Sequence, residues 1–373
     1  MNLKQVLERM MKENSSDLHL KAGMPPVFRI DGSLRPLNEP PLSPEELRQV
    51  ALQLMPKDQQ EVFANEKELD FAIGVAGLGR FRVNVYMQRS SVALSLRSIP
   101  VLIKKVDELL LPPVIKELSL RHRGLLLVTG TTGLGKSTTL AAMMEHINEN
   151  ESRNIITVED PIEFLFRDKK SIISQREVGT DTKSFGAALK HVLRQDPDVI
   201  LIGEIRDKTT LNTALQAADT GHMVFSTLHT VNASETINRI ISFFPPHQHE
   251  NVRIQLASTL VGVASLRLLP KADGKGRVPA VEILINTATV KDYLLDSMKT
   301  LLIPQLIEDG TTQYGMQSFD QSILRNYKDG VISYETAMMH VTNPDDFKLR
   351  LRGVESTGEA RGWDSFGGSG GKK

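Results

Sequence analysis

Residues 125–140 restrict what this chain can fold into more than any other stretch. Leu125, Leu126, Leu127, Val128 and Thr129 form a short apolar run that breaks into Gly130, Thr131, Thr132, Gly133, Leu134, Gly135, Lys136 and Ser137, followed by Thr138. This is G-x-x-x-x-G-K-S. Beyond it Leu140, Met143, Met144 and Ile147 recur at helical spacing. A glycine-rich loop between a buried strand and a helix N-terminus turns its backbone N–H groups inward on a polyphosphate. Lys136 then reaches the outer phosphates, the Ser137 hydroxyl ligates Mg²⁺, and the helix dipole favours the anion. A chance surface turn would lack the flanking strand and helix. Residues 130–138 are therefore expected to bind a nucleotide.

At 373 residues the chain exceeds one core of about 100–200 residues, so two or three domains are expected. Lysine plus arginine and aspartate plus glutamate both number 45, without the basic excess of a protein that lives on nucleic acid. Aromatic residues make up only 5%, which offers little for stacking on single strands. The sequence contains no cysteine, which excludes disulfides and thiolate zinc sites and fits a reducing interior. No basic-then-apolar signal pattern opens the sequence and no apolar run nears the ~18 residues of a membrane span, so a cytoplasmic protein is expected.

The first hundred residues read as a small mixed α+β module. Leu3, Val6, Leu7, Met10 and Met11 make one apolar helix face, and Ser43-Pro44-Glu45-Glu46 carries a capping serine and a first-turn proline that open a second helix. Leu18-His19-Leu20 and residues 27–30 read as strands, the latter entering a tight turn at Asp31-Gly32. Three further extended segments follow, over 69–73, 80–89 and 92–99. In the middle one Phe81, Val83, Val85 and Met87 alternate with Arg80, Arg82, Asn84, Tyr86 and Gln88. Arg97 lies in the next strand. These arginines fit either a solvated sheet face or a source of positive charge for a nucleotide's outer phosphates. Residues 101–123 read as a linker with one helix that begins at Pro112-Pro113.

From Gly124 strands and helices alternate, the pattern of a parallel sheet covered on both faces. Residues 155–158 form a strand that ends in Glu159-Asp160-Pro161-Ile162-Glu163, leaving three carboxylates where open α/β sheets bind ligands. Any one of them could orient a water that attacks a γ-phosphate. Val199-Ile200-Leu201-Ile202 closes on Gly203-Glu204, an acid after an apolar strand downstream of a phosphate loop, suited to holding Mg²⁺ directly or through water. Asp207 is positioned to cap the helix that follows. A third strand, over 223–227, lies between His222 and His229. His229 follows its carboxyl end and is assigned to phosphate sensing, whereas His222 precedes it and reads as structural.

These four boxes in this order resemble the secretion ATPase superfamily, and within it the chain is similar to the PilT/PilU retraction ATPases of bacterial type IV pili. Ser16-Asp17-Leu18-His19-Leu20, Gln175-Arg176-Glu177-Val178-Gly179 and Leu193-Arg194-Gln195-Asp196-Pro197-Asp198 carry the resemblance further, over roughly residues 1 to 350. It implies an α/β fold: a RecA-like P-loop ATPase domain (124–288) preceded by a PAS-like α+β domain (1–100). Apolar stripes read residues 289–352 as C-terminal helices, and the glycine-rich composition of 353–373 reads as a disordered tail. The resemblance further implies an ATP-hydrolysing homohexamer that closes its domains around ATP and Mg²⁺ and powers pilus retraction. By position Glu163 would be the catalytic base and Glu204, with Ser137, the Mg²⁺ ligand. His229 would contact the γ-phosphate, and Arg82 and Arg97, with Arg80 beside them, would be the arginines brought to the nucleotide. The implied partners are other copies of the chain, an inner-membrane pilus platform protein and a paralogous ATPase, with no nucleic acid. The implied location is the cytoplasmic side of the inner membrane at the pilus base.

Two departures stand out. The family loop usually carries Pro and Ser where this chain has Thr131 and Leu134, both at variable positions. Retraction ATPases typically carry A-I-R-N-L-I-R in the C-terminal region, where this chain has Thr289-Val290-Lys291-Asp292-Tyr293-Leu294-Leu295. The second arginine is lost and the first becomes a lysine, which does not replace it in a bidentate role. An accessory paralogue of the retraction motor therefore competes with the motor itself. Pilus-assembly and type II secretion ATPases usually add a long N-terminal extension and a four-cysteine zinc module, both lacking here. A nucleic-acid translocase, and a ring that binds nucleotide without turnover, fit the sequence less well: the first needs basic and aromatic surface, and the second sits poorly with intact Lys136, Glu163 and Glu204.

Overall fold

The computed structural model describes residues 2–30, 32–99 and 102–352. The expected tail over 353–373, the turn residue Asp31 and the domain boundary at 100/101 lie outside the described residues. The chain divides into two compact units. One comprises Met1–Ile103, Val158–Arg167 and Gln175–Ala188, and the other comprises Lys104–Thr157, Asp168–Ser174 and the chain from Leu189.

The N-terminal part of the first unit contains α1 (Leu3–Lys12), β1 (Asp17–Leu20), β2 (Val27–Ile30), β3 (Ser33–Pro36), α2 (Pro44–Leu54), α3 (Lys57–Glu66), β4 (Glu68–Val75), β5 (Gly79–Gln88) and β6 (Ser91–Ile99). Its strands form a six-stranded sheet in the order β3-β2-β1-β6-β5-β4. The alternation in β5 works as expected: Phe81, Val83 and Val85 are buried with Val6, Leu7 and Met10 of α1 and Leu47, Val50 and Ala51 of α2. Each buried Phe, Val, Leu or Met side chain contributes about 1.5–3 kcal/mol. Met87, expected on the buried face, is 38% exposed because the strand has passed the core residues and nears its turn at Arg89 and Ser90. The Ser43–Glu46 capping box that opens α2 is present, a feature contributing about 1 kcal/mol.

The rest of the chain builds α4 (Val114–Ser119), β7 (Gly124–Thr129), α5 (Lys136–Asn150), β8 (Asn154–Glu159), β9 (Ile172–Glu177), α6 (Phe185–Val192), β10 (Val199–Ile202), α7 (Lys208–Asp219), β11 (Met223–Leu228), α8 (Ala233–Ser242), α9 (His249–Thr259), β12 (Leu260–Pro270) and β13 (Arg277–Ile285). Among the described residues six α-helices follow: α10 (Ala288–Leu295), α11 (Ile303–Asp309), α12 (Thr311–Tyr314), α13 (Phe319–Lys328), α14 (Tyr334–His340) and α15 (Pro344–Leu351). The sheet order is β13-β12-β7-β11-β10-β8-β9. The strands β12, β7, β11 and β10 run parallel as the alternating pattern requires, but β13 is antiparallel to β12. The reason is local: residues 271–276 join β12 to β13 as a hairpin, and a short turn can return the chain only in the opposite direction. Every residue of β7 is buried, and α13, α14 and α15 pack Phe319, Ile323, Ala337 and Phe347 against Leu269, Val278 and Ala280 of the hairpin. No helix among the described residues is long and apolar enough to cross a membrane.

Candidate functional site

In the second unit the phosphate loop is built almost wholly from main chain. Gly130, Gly133 and Gly135 have φ of +144°, +81° and +88°, a region that costs a side-chain-bearing residue strain. At Gly130 a Cβ would also lie 2.9 Å from the Leu266 carbonyl oxygen of the neighbouring strand. Gly135 stands at the N-terminus of α5 and no side chain caps that end. A helix N-terminus without a side-chain cap, set behind a glycine turn, suits an anion, which is the chemistry of a phosphate cradle. Lys136 is buried, and its Nζ donates to the carbonyl oxygens of Gly130 at 2.8 Å and Thr131 at 3.1 Å. The loop is tied to the sheet just before it begins, where the Thr129 hydroxyl donates to Ser265 Oγ at 2.9 Å.

β11, beside β7, and β10, beside β11, bring two more expected residues to the same edge. In the β10–β11 pair Ile202 stands opposite Ser226, and in the β11–β7 pair Leu228 stands opposite Thr129. The segments after Ile202, Leu228 and Thr129 therefore leave the sheet at one end. Thr227 Oγ1 donates to the Gly203 carbonyl at 2.8 Å and Ile205 N–H to the Thr227 carbonyl at 3.1 Å, which fixes Glu204 next to the strand that delivers His229. His229 Nε2 lies 3.4 Å from Glu204 Oε2, and the Arg206 guanidinium pairs with the other carboxylate oxygen. His222, by contrast, turns its Nδ1 to the Ala217 carbonyl at 3.0 Å, a structural contact. Ser137 and Glu204 offer hard oxygen donors, which suit Mg²⁺, an ion that takes few protein ligands and completes its shell with phosphate and water. Among the described residues no cluster of three or more His, Cys, Asp or Glu makes a cage of its own.

The His229 segment is held from below. Ala233 N–H, at the start of α8, donates to Glu282 Oε1 of β13 at 2.8 Å. Burial pushes the Glu282 carboxyl up to about 7, against the opposing pull of the Ala233 hydrogen bond and Arg267.

In the first unit the expected arginines form a row across the sheet. Arg82 stands opposite Arg97, Arg97 opposite Asp17, and Asp17 opposite Arg29. Like charges directly opposed are destabilising, and two carboxylates offset this. Arg97 Nε donates to the buried Asp17 at 2.7 Å, and Arg82 lies 3.7 Å from Asp70. Burial opposes ionisation of Asp17, but the bonds from Ser16 and Arg97 outweigh it and hold the carboxyl below its ordinary value. Arg80 is differently placed. A terminal nitrogen lies 3.2 Å from Glu177, whose side chain is almost wholly buried. Glu163 is exposed, on an irregular segment after β8.

Residues 1–313 match the family model described as type II/IV secretion system protein. The chain belongs to that family. Among its members, the type IV pilus ATPase PilU of Pseudomonas aeruginosa is 42% identical over 357 residues, which cover 95% of this chain and 93% of PilU. The type IV pilus retraction ATPase PilT of the same organism is 40% identical, over 93% of this chain and all of PilT. A crystal structure of the pilus retraction motor PilT with bound ADP superposes with a TM-score of 0.86 at 45% identity, covering 92% of this chain and 98% of that one. The two-domain fold expected for a secretion ATPase is thus the fold this family member adopts.

Four side chains escaped the sequence reading of this family member's site: Asp17, Glu282, Gln175 and Glu177. Asp17 and Gln175 lie inside motifs that marked the resemblance, but nothing local distinguishes them as supports. The Arg97 partner of Asp17 is 80 residues away, and the partners of Gln175 are 9, 11 and 16 residues away. Only alternation offers a signal for Asp17, an acid in a strand whose neighbours Leu18 and Leu20 face the core.

Proposed function

We propose that this chain is an ATP-hydrolysing ring motor, a homohexamer, that powers type IV pilus retraction from the cytoplasmic face of the inner membrane. The observation that carries the nucleotide chemistry is the uncapped N-terminus of α5 behind a glycine cradle, with Glu204 and His229 paired beside it. The pilus assignment is supported by 40% identity to a retraction ATPase over that protein's whole length. In this reading residues 130–138 bind the phosphates of ATP, with Lys136 on the outer ones. Mg²⁺, held by Ser137 and partly through water by Glu204, neutralises charge on the phosphates. Glu163 accepts a proton from the attacking water, and His229 contacts the γ-phosphate. Arg82 and Arg97 offset the charge that develops as the bond to the leaving group breaks. The domain boundaries 1–100, 101–123, 124–288 and 289–352 follow the same reading, with an inner-membrane platform protein as the partner that is moved.

A second reading has two observations in its favour. The segment 289–295, on α10, carries Lys291 where the retraction pattern has arginine, and identity to PilU is as high as to PilT. An accessory ATPase that works beside a paralogue fits both facts. Deletion in the host discriminates: loss of twitching with excess surface fibres is the outcome expected for a retraction ATPase, loss of fibres that for an assembly ATPase. Complementation of strains lacking one or the other retraction ATPase then separates motor from accessory subunit. For the chemistry, Glu163→Gln is expected to bind ATP and to release phosphate about 100-fold more slowly or worse.

A further inference from the structure

We infer that Gln175 and Glu177 are positioning residues for Glu163, and that Arg80 serves this support as the counterion of Glu177. The inference rests on the reading of Glu163 as the general base. Its starting point is a question of backbone bookkeeping. Residues 160–166 belong to no helix or strand, so their N–H and C=O groups need other partners. Those partners are side chains of β8 and β9.

Gln175 takes both sides of the segment after Glu163. Its Oε1 accepts from Phe166 N–H at 3.0 Å and its Nε2 donates to the Phe164 carbonyl at 2.8 Å. An N–H can only donate and a carbonyl only accept, so these two bonds fix which way the amide points. The same Nε2 reaches Glu159 Oε1 at 3.1 Å. Glu177, two residues on and therefore on the same face of β9, takes the other side. Its Oε2 accepts from Ile162 N–H at 3.1 Å, and its Oε1 from the Thr180 hydroxyl at 3.3 Å. Between them, Glu163 N–H points to Glu159 Oε2 at 3.5 Å. The residues immediately before and after Glu163 are thus pinned to one strand. The side chain of Arg176, on the opposite face, donates to the Asp181 carbonyl.

The charge arrangement follows. Glu177 is 2% exposed, and a buried carboxylate requires a countercharge. Arg80 supplies it at 3.2 Å from β5. The guanidinium that sequence reasoning set beside the phosphate-directed arginines is committed to the carboxylate that holds the Glu163 segment. A base displaced by about 1 Å loses on the order of 100-fold in rate. That sensitivity gives the Q-R-E-V-G motif a role: it sets where the Glu163 carboxylate stands without touching nucleotide.

The test is ATP hydrolysis and nucleotide binding by the full chain carrying Gln175→Ala, Glu177→Gln or Glu177→Ala, each beside Glu163→Gln. Gln175→Ala is expected to lower kcat about tenfold or more while KM and nucleotide affinity stay within about twofold. Glu177→Gln keeps an acceptor for Ile162 N–H and is expected to retain kcat within about threefold, whereas Glu177→Ala loses about tenfold. Measured in single turnover, Gln175→Ala added to Glu163→Gln is expected to cost no more than about a further twofold. A wild-type kcat in Gln175→Ala, or the same fold loss in both backgrounds, overturns the inference. So do equal losses in the two Glu177 variants, a comparison that stands even if Gln175→Ala does not fold. Wild-type turnover by Glu163→Gln would instead overturn the base assignment and this inference with it, a failure told apart by that variant alone.

Discussion

The phosphate loop and the Glu163 segment achieve the same end, a fixed geometry without a ladder of hydrogen bonds, by opposite means. The loop at residues 130–137 is shaped by glycine dihedrals and by the start of α5, and its donors are main-chain N–H groups. The segment at 160–166 takes its shape from Gln175, Glu177 and Glu159 side chains contributed by two strands. A site made of backbone tolerates changes at its variable positions, because the side chains there do not set the geometry. Where side chains act as the supports, change at any of them is felt. The His229 segment and Arg97 belong to the second kind, through Glu282 at the foot of α8 and Asp17 in β1.

That contrast can be broken at its strongest point first. In the proposed mechanism Lys136 is the loop side chain that meets the outer phosphates, and Lys136→Ala is expected to reduce ATP turnover by at least about 100-fold, read by phosphate release. Next, Arg97→Ala is expected to leave nucleotide affinity intact and lower turnover about tenfold or more. A wild-type rate there would overturn the proposal that Arg97 acts on the nucleotide.

The Glu282 support sharpens the comparison through pH. Its carboxyl titrates at an ordinary 4.5 when unfolded and at about 7 when folded. Between those values the folded protein keeps a proton the unfolded chain has released. The associated stability is therefore present at acidic pH and lost as pH rises towards 7, by an amount on the order of 3 kcal/mol. Glu282→Gln retains an acceptor for Ala233 N–H, so it is expected to raise Tm by a few degrees at pH 8 and to leave it nearly unchanged at pH 4, below the unfolded value of 4.5. The smallest effect is expected at the loop's variable positions. Thr131→Pro and Leu134→Ser, which restore the residues usual in the family, are expected to change kcat/KM by no more than about twofold. A large change in either would mean that side chains shape the cradle after all.

The regions that were readable from sequence share a physical cause. Gly130 to Ser137, Ile202 to Glu204 and the alternation of Phe81, Val83 and Val85 are local patterns, in which residues a few positions apart determine strand, turn or helix. The second half of the sheet was less legible. Neither β12 nor β13 carries a chemical motif, and no feature of residues 260–285 announced that β12 would lie beside β7 and set Ser265 on Thr129. Missing β9 as a strand had the larger consequence, since Gln175 and Glu177 act only once that strand lies against residues 160–166.

The sequence by itself determined the phosphate loop, the acid after β10 and the family, because short-range spacing and glycine dihedrals encode them without help from distant residues. Tertiary structure alone decided that Arg97 rests on Asp17, that Arg80 pairs with Glu177, and that Glu204 meets His229. Those contacts join residues 80, 97 and 25 positions apart. Strand order and register create such neighbours, and neither is written in the spacing of any one segment.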